Sequence, residues 1–143
     1  MSDVNSRQVG GSHYQTGDLQ HWDVVCELKT HYLPAQITRY LTRAHRKNKL
    51  QDLEKALHYS QKLVEVLQHS CLPPPAAATS YAATFLAGVP GLGVVEQALS
   101  LLAFAVETED NAEALLMLLN QFVVEERAKA AACPLVLQGQ PQT

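Results

Sequence analysis

Cys71 to Ser80 reads CLPPPAAATS, and its three consecutive prolines constrain the chain more than any other feature. Proline lacks a backbone N–H and fixes φ, so neither a helix nor a central strand runs through such a triplet. A stiff extended segment is the favoured local form. Every other pattern therefore belongs to one side of it or the other. The sequence divides into a region 1–70, a Pro/Ala-rich linker 71–80, a helical region 81–132 and a flexible tail 133–143.

Both sides carry helical periodicity. Residues 1–18 read as an irregular arm punctuated by Gly10, Gly11 and Gly17. Between Asp18 and Leu33, the apolar residues Leu19, Trp22, Val25 and Leu28 recur at three-residue spacing, which predicts a short amphipathic helix. Pro34 fits the first turn of a second helix, where its missing N–H costs nothing. That helix gathers Ile37, Tyr40, Leu41 and Ala44 on one face and Arg39, Arg43, Arg46 and Lys47 on another. After a turn at Asn48, a third helix buries Leu53, Ala56, Leu57, Leu63, Val64 and Leu67. A short connection makes these two an antiparallel hairpin. Beyond the prolines, helices are expected near 79–87, 94–107 and 111–131. Gly88 and Pro90 end the first, and Asp110 with Glu113 caps the last. No segment alternates convincingly, so the expected class is all-α: a hairpin carrying a basic site, plus C-terminal helices assembling the chain into a homo-oligomer.

Charge is distributed unevenly. Residues 29–62 hold eight bases and two acids, while 1–28 hold one base and four acids, and 63–143 two bases and eight acids. The net −3 is thus the sum of a positive hairpin and acidic flanks. Such a field suits a small anion better than a long nucleic acid, whose phosphates would meet the acidic surfaces. The apolar runs Leu101–Val106 and Ala114–Leu119 fall far short of the roughly 18 residues a membrane span needs, so no membrane partner is expected. The polar N-terminus has no secretory pattern, and the three cysteines Cys26, Cys71 and Cys133 match no zinc or disulfide framework, which suits a reduced cytoplasmic protein. The six histidines show no metal-ligand spacing. The glycines of GVPGLG make no dinucleotide fingerprint, and no Walker P-loop is present.

Candidate site residues concentrate between Tyr40 and Tyr59. A phosphate needs several N–H donors and positive charge in fixed geometry. Arg39, Arg43, Lys47 and Lys55 are the candidate phosphate ligands, and Asp52 stands one turn before Lys55, able to pair with it or orient it. Trp22, Tyr40 and Tyr59 are candidates for base stacking. The competing reading for the basic residues is a solvated face with ion pairs, against which stands the scarcity of acids in the same stretch. For Trp22 the alternative is a core anchor, for Tyr40 helix packing, and for Asp52 an acid facing the helix dipole. Arg39 and His45 also share an R-x(4–6)-H spacing with an all-helical RNase superfamily.

Three ordered segments, VGGSHYQTGDLQHWDVV, YLPAQITRYLTRAHRKN and LQDLEKALHYSQKL, resemble the small bacteriophage nucleotide kinases, a family lacking a P-loop and long classed as of unknown function. The family pattern is G-G-x-H-Y, then Q-x-W/I-D/E, then G-N-x-x-K-Y-x-x-R-x-x-x-K-N, then D-L-x-K-A-x-x-Y. Gly10, Gly11, His13 and Tyr14 match the first part, and Gln20, Trp22 and Asp23 the second. Tyr40, Arg43, Lys47 and Asn48 match the third, with Arg39 in place of lysine and Ala35-Gln36 in place of Gly-Asn. Asp52, Leu53, Lys55, Ala56 and Tyr59 match the last, and the family's Asn-Gly turn is Asn48-Lys49 here. The resemblance spans about residues 9–67 and leaves the C-terminal half without a counterpart. It implies phosphoryl transfer from ATP, with or without Mg, to a deoxynucleoside monophosphate in the cytoplasm of an infected bacterium. It also implies catalytic roles for His13, Asp52 and Lys55. Phosphoryl transfer is mostly positioning and charge neutralisation, which the basic hairpin would supply. Two other functions fit the residues: a non-catalytic nucleotide sponge that sequesters a host defence signal, and a helical module that binds a protein.

Overall fold

The computed structural model describes residues 19–46 and 48–138, with side chains to residue 132. Six α-helices occur among them: α1 (His21–Leu28), α2 (Tyr32–Arg43), α3 (Lys49–Val66), α4 (Ser80–Ala87), α5 (Val94–Phe104) and α6 (Glu109–Gln138). Short 3-10 turns extend α2 over Ala44–Arg46 and α3 over Leu67–His69. The described residues contain no strand, so the class is all-α.

The first helix is shorter than its pattern predicts. Asp23 Oδ2 accepts from the Gln20 amide at 2.9 Å and fixes its start. Lys29 then turns left-handed, with φ 53°, and ends it. Val24 and Leu28, one turn apart, are its buried residues, whereas Trp22 is 47% exposed. Trp22 is therefore not a core anchor. Pro34 does fall in the first turn of α2.

α2 and α3 form the expected hairpin, with Asn48 preceding α3. Ile37, Leu41, Ala44, Leu53, Ala56 and Leu63 are fully buried between them and their neighbours. The surface that α5 and α6 need lies in the same chain: α5 packs on α2 and α6 packs on α3. One core runs from Leu33 through Leu53 and Leu99 to Leu119 and Val123. A second, smaller core joins α1, α4 and the far side of α5 through Val24, Leu28, Phe85, Leu86 and Phe104.

The cap of α6 differs from expectation. Thr108 and Asn111, rather than Asp110 and Glu113, make the reciprocal pair: Asn111 N donates to Thr108 Oγ1 at 3.3 Å, and Thr108 N donates to Asn111 Oδ1 at 3.4 Å. This shifts the start to Glu109, and the backbone stays helical to Gln138, seven residues past the expected end. The run Ala130–Ala132 favours that continuation, since alanine has the highest helix propensity.

The proline segment is not helical, as its sequence requires. It is strapped to the body at both ends, where Leu72 N donates to Glu107 O at 2.8 Å and Ala76 N to Leu28 O at 3.0 Å. Beneath it lies a cavity of about 70 Å³ lined by Leu28, Thr30, Pro34, Pro73, Ala103 and Phe104 among others. The Thr30 hydroxyl is buried there without a hydrogen-bond partner.

Candidate functional site

Antiparallel packing of α2 on α3 brings two stripes face to face. Tyr32, Gln36, Tyr40 and Arg43 follow one another at helical spacing along α2; Asp52, Lys55 and Tyr59 do so along α3. The stripes mesh in reverse order. Tyr32 meets Tyr59 edge-on, with centroids 6.3 Å apart and planes at 78°. Tyr40 stacks on Tyr59 at 5.9 Å and 15°. Arg43 closes the far end on Asp52, with Nε to Oδ2 at 3.0 Å and Nη2 to Oδ1 at 3.2 Å.

The Tyr40 ring is the hub. Three cationic groups lie over it: the Arg43 guanidinium at 4.9 Å, the Arg39 guanidinium at 5.3 Å and the Lys55 ammonium at 5.3 Å from its centroid. The quadrupole of an aromatic face attracts such charges, which gives each cation a defined place. They differ in what else they hold. Arg43 is spent on Asp52, and that bidentate pair is buried, with side chains 8% and 1% exposed. Arg39 donates to Gln36 Oε1 at 3.3 Å. Lys55 pairs with no carboxylate among the described residues, and its side chain is half-buried.

Aromatic contacts also set the acidity of the site. Tyr59 is held above the ordinary phenol range, first by its hydrogen bond with Tyr32, then by burial and by neighbouring Tyr32 and Tyr40, with Arg39 opposing. Its hydroxyl is therefore a neutral donor and acceptor at physiological pH.

Two charges at the start of α3, Lys49 and Glu54, find partners on α6 that the local sequence does not supply. Lys49 Nζ lies 3.0 Å from Glu126 Oε1, and Arg127 Nε donates to Glu54 at 2.9 Å. Burial pushes the Glu126 carboxyl up, but hydrogen bonds from Lys129 and Lys49 outweigh it and hold the pKa below the ordinary carboxylate range. Lys62 pairs with Glu65 on its own helix. Arg43, Lys49 and Lys62 are thus held in ion pairs, only the second of them with an acid of α6, and the candidate site narrows to Arg39 and Lys55 beside the tyrosines.

Arg39 and Lys55 meet at Tyr40, and Tyr59 stacks on it. Arg43 and Asp52 are brought together, but as a buried pair whose donors and acceptors face each other. Trp22 stands exposed on α1. His13 and Lys47 lie outside the described residues. Tyr32 and Gln36 were missed, although their spacing with Tyr40 and Arg43 is the signal that marks them. The Arg39–His45 spacing has a structural explanation for its histidine: His45 Nε2 donates to Pro90 O at 2.8 Å and holds the 88–93 loop.

His21 braces the hairpin from behind. Its Nε2 lies 2.7 Å from Thr38 Oγ1, and its ring packs near Phe85 and Phe104 at 6.4 and 6.2 Å. Thr38 hydroxyl donates to a carbonyl of its own helix, so Nε2 is the donor to it. Burial, and secondarily the charge of Arg39, lower the His21 pKa to about 4.

The fold and site together define an all-helical protein with a basic, tyrosine-lined hairpin. Residues 9–61 match a family described only as a protein of unknown function, DUF3310, a match over less than half of the chain. It covers α1, α2 and most of α3, and so every stripe residue of the hairpin. No curated protein and no solved structure matches this chain. Among the described residues, no helix is long and apolar enough to cross a membrane.

Proposed function

We propose that this protein binds a nucleotide on the α2–α3 face, and that the ligand is a deoxynucleoside monophosphate receiving phosphate from ATP in an infected bacterial cytoplasm. The observation that carries the binding reading is the placement of Lys55 over Tyr40, beside Tyr59 and Arg39, with no carboxylate among the described residues neutralising it. Tyr40 is buried beneath Tyr59 and the cations, so the rings that offer a stacking surface to a base are Tyr32 and Tyr59, and the two cations offer donors to a phosphate. Tyr32, 60% exposed, stands at the entrance of this face. Arg43 and Asp52 act by fixing the Tyr40 ring and the register of the hairpin rather than by touching the ligand. The transfer step itself rests on the resemblance to phage nucleotide kinases, in which His13 and Lys47 would complete the site and Mg, arriving with the ATP, would supply charge neutralisation.

A second reading, non-catalytic sequestration of a nucleotide signal, is favoured by one observation. Asp52, one turn before Lys55, has both oxygens engaged by Arg43. It is poorly placed to orient an attacking hydroxyl.

The test is a screen of each deoxynucleoside monophosphate, with and without ATP and magnesium, together with cyclic and dinucleotide signals. Thermal shift and product formation are read in the same wells. Binding with product establishes the kinase, and binding without product establishes the sponge. The absence of any thermal shift refutes both and moves the function to a protein partner.

A further inference from the structure

Asp52 stands one turn before Lys55 on α3, a spacing that favours an ion pair between them. The fold does not make that pair. Both carboxylate oxygens go instead to Arg43 on the neighbouring helix, Oδ2 to Nε at 3.0 Å and Oδ1 to Nη2 at 3.2 Å. The preference has a chemical reason. A guanidinium presents its N–H groups in a planar fork that matches a carboxylate, whereas an ammonium is a compact point charge that holds its water more strongly. Glu54, the other acid between residues 29 and 62, is taken by Arg127 of α6 at 2.9 Å. Both acids of the basic stretch are thus occupied by arginines. Lys55, half-buried over the Tyr40 ring, is left with no carboxylate among the described residues.

We propose that Arg43 is a positioning residue that keeps the Lys55 ammonium available to a phosphate by holding Asp52 away from it. The purpose rests on the nucleotide reading of the α2–α3 face, and the cause rests on the two hydrogen bonds from Arg43. Arg43 does not touch the ligand in this role. The Asp52 side chain is 1% exposed, and a carboxylate buried that deeply is costly without a cation beside it. Once the fork is removed, the nearest cation on its own helix is Lys55. Asp52 then captures Lys55, and the phosphate loses a charge-assisted donor. Lysine is not a conservative replacement for Arg43 here, because one ammonium does not grip both oxygens in a fixed plane.

Variants of the full chain separate this role from support of the fold alone. Arg43→Gln keeps a donor for Asp52 but removes the fork and its charge. Arg43→Lys keeps the charge without the fork, and serves where the glutamine variant does not fold. Arg43→Gln combined with Asp52→Asn sets two amides together and leaves no carboxylate to capture Lys55. Each is titrated calorimetrically with the four deoxynucleoside monophosphates. Binding is expected to weaken by about tenfold or more in Arg43→Gln, to weaken in Arg43→Lys, and to return to within about threefold of the parent in the double variant. Support of the fold alone predicts no such rescue, since the double variant loses both charges of the pair. A second readout needs no nucleotide. Reductive methylation with carbon-13 formaldehyde tags the lysines, and Lys55→Arg assigns the Lys55 methyl signal. That signal is expected to move in the single variants and to return in the double variant. A double variant that binds no better than Arg43→Gln overturns the proposal, and so does a Lys55 signal that both single variants leave in place. A parent that binds none of the four nucleotides overturns the nucleotide reading, and the methyl signal then decides by itself whether Arg43 keeps Asp52 from Lys55.

Discussion

His21 makes the fold acid-sensitive by a predictable amount. In an unfolded chain a histidine takes up its proton near pH 6.5, whereas in the fold His21 does so only at about pH 4. Between those values the unfolded state binds more protons, so stability falls as pH drops through this window and the loss is nearly complete at the lower value. The separation corresponds to about 3 kcal/mol, a large share of a small domain's stability. Glutamine is a useful replacement, because it keeps an N–H donor for Thr38 and carries no titrating group. Urea unfolding of the parent and His21→Gln at several pH values from about 7.5 to 4 gives the difference directly. The parent is expected to lose about 3 kcal/mol more than the variant over that range. Acid-sensitive pairs such as those of Glu65 and Glu126, whose folded pKa values lie below normal, titrate in both proteins and cancel. Parallel stability–pH profiles would refute the argument that His21 is held neutral by its surroundings.

Two further perturbations follow from buried polar groups. Asp52→Ala strands the Arg43 guanidinium and is expected to cost about 3–5 kcal/mol in chemical denaturation, while the double change Arg43→Met with Asp52→Ala recovers part of that loss. Thr30→Val removes a buried hydroxyl without a partner beside the proline strap and is expected to stabilise by about 1 kcal/mol, seen as a higher urea midpoint with unchanged slope.

Helix existence was legible because apolar spacing records burial directly. Ile37, Leu41, Leu53, Ala56 and Leu63 are buried as their periodicity requires. Boundaries were less legible, since they depend on single residues. The left-handed Lys29 has no strong sequence signature, and Thr108 and Asp110 are both favoured N-cap residues between which the sequence does not choose. The chemistry of the hairpin was half legible. Spacing put the cations and tyrosines on neighbouring turns, but it could not tell that Arg43 turns inward to Asp52 while Lys55 stays over an aromatic face. Nor could local charge counting supply Glu126 and Arg127, which reach the hairpin from more than 70 residues away. Long-range ion pairs are set by tertiary packing, which periodicity does not encode.

The central claim is that the Tyr40–Tyr59 face with Lys55 and Arg39 holds a nucleotide phosphate and base. Its most direct test is calorimetric titration of the deoxynucleoside monophosphates into the parent, Lys55→Ala and Tyr59→Ala, each checked for an unchanged melting temperature. Loss of one charge-assisted contact weakens binding by about tenfold or more, and the expected result is at least that loss in both variants. Binding that survives both substitutions unchanged, or a parent that binds none of the nucleotides, would contradict the account.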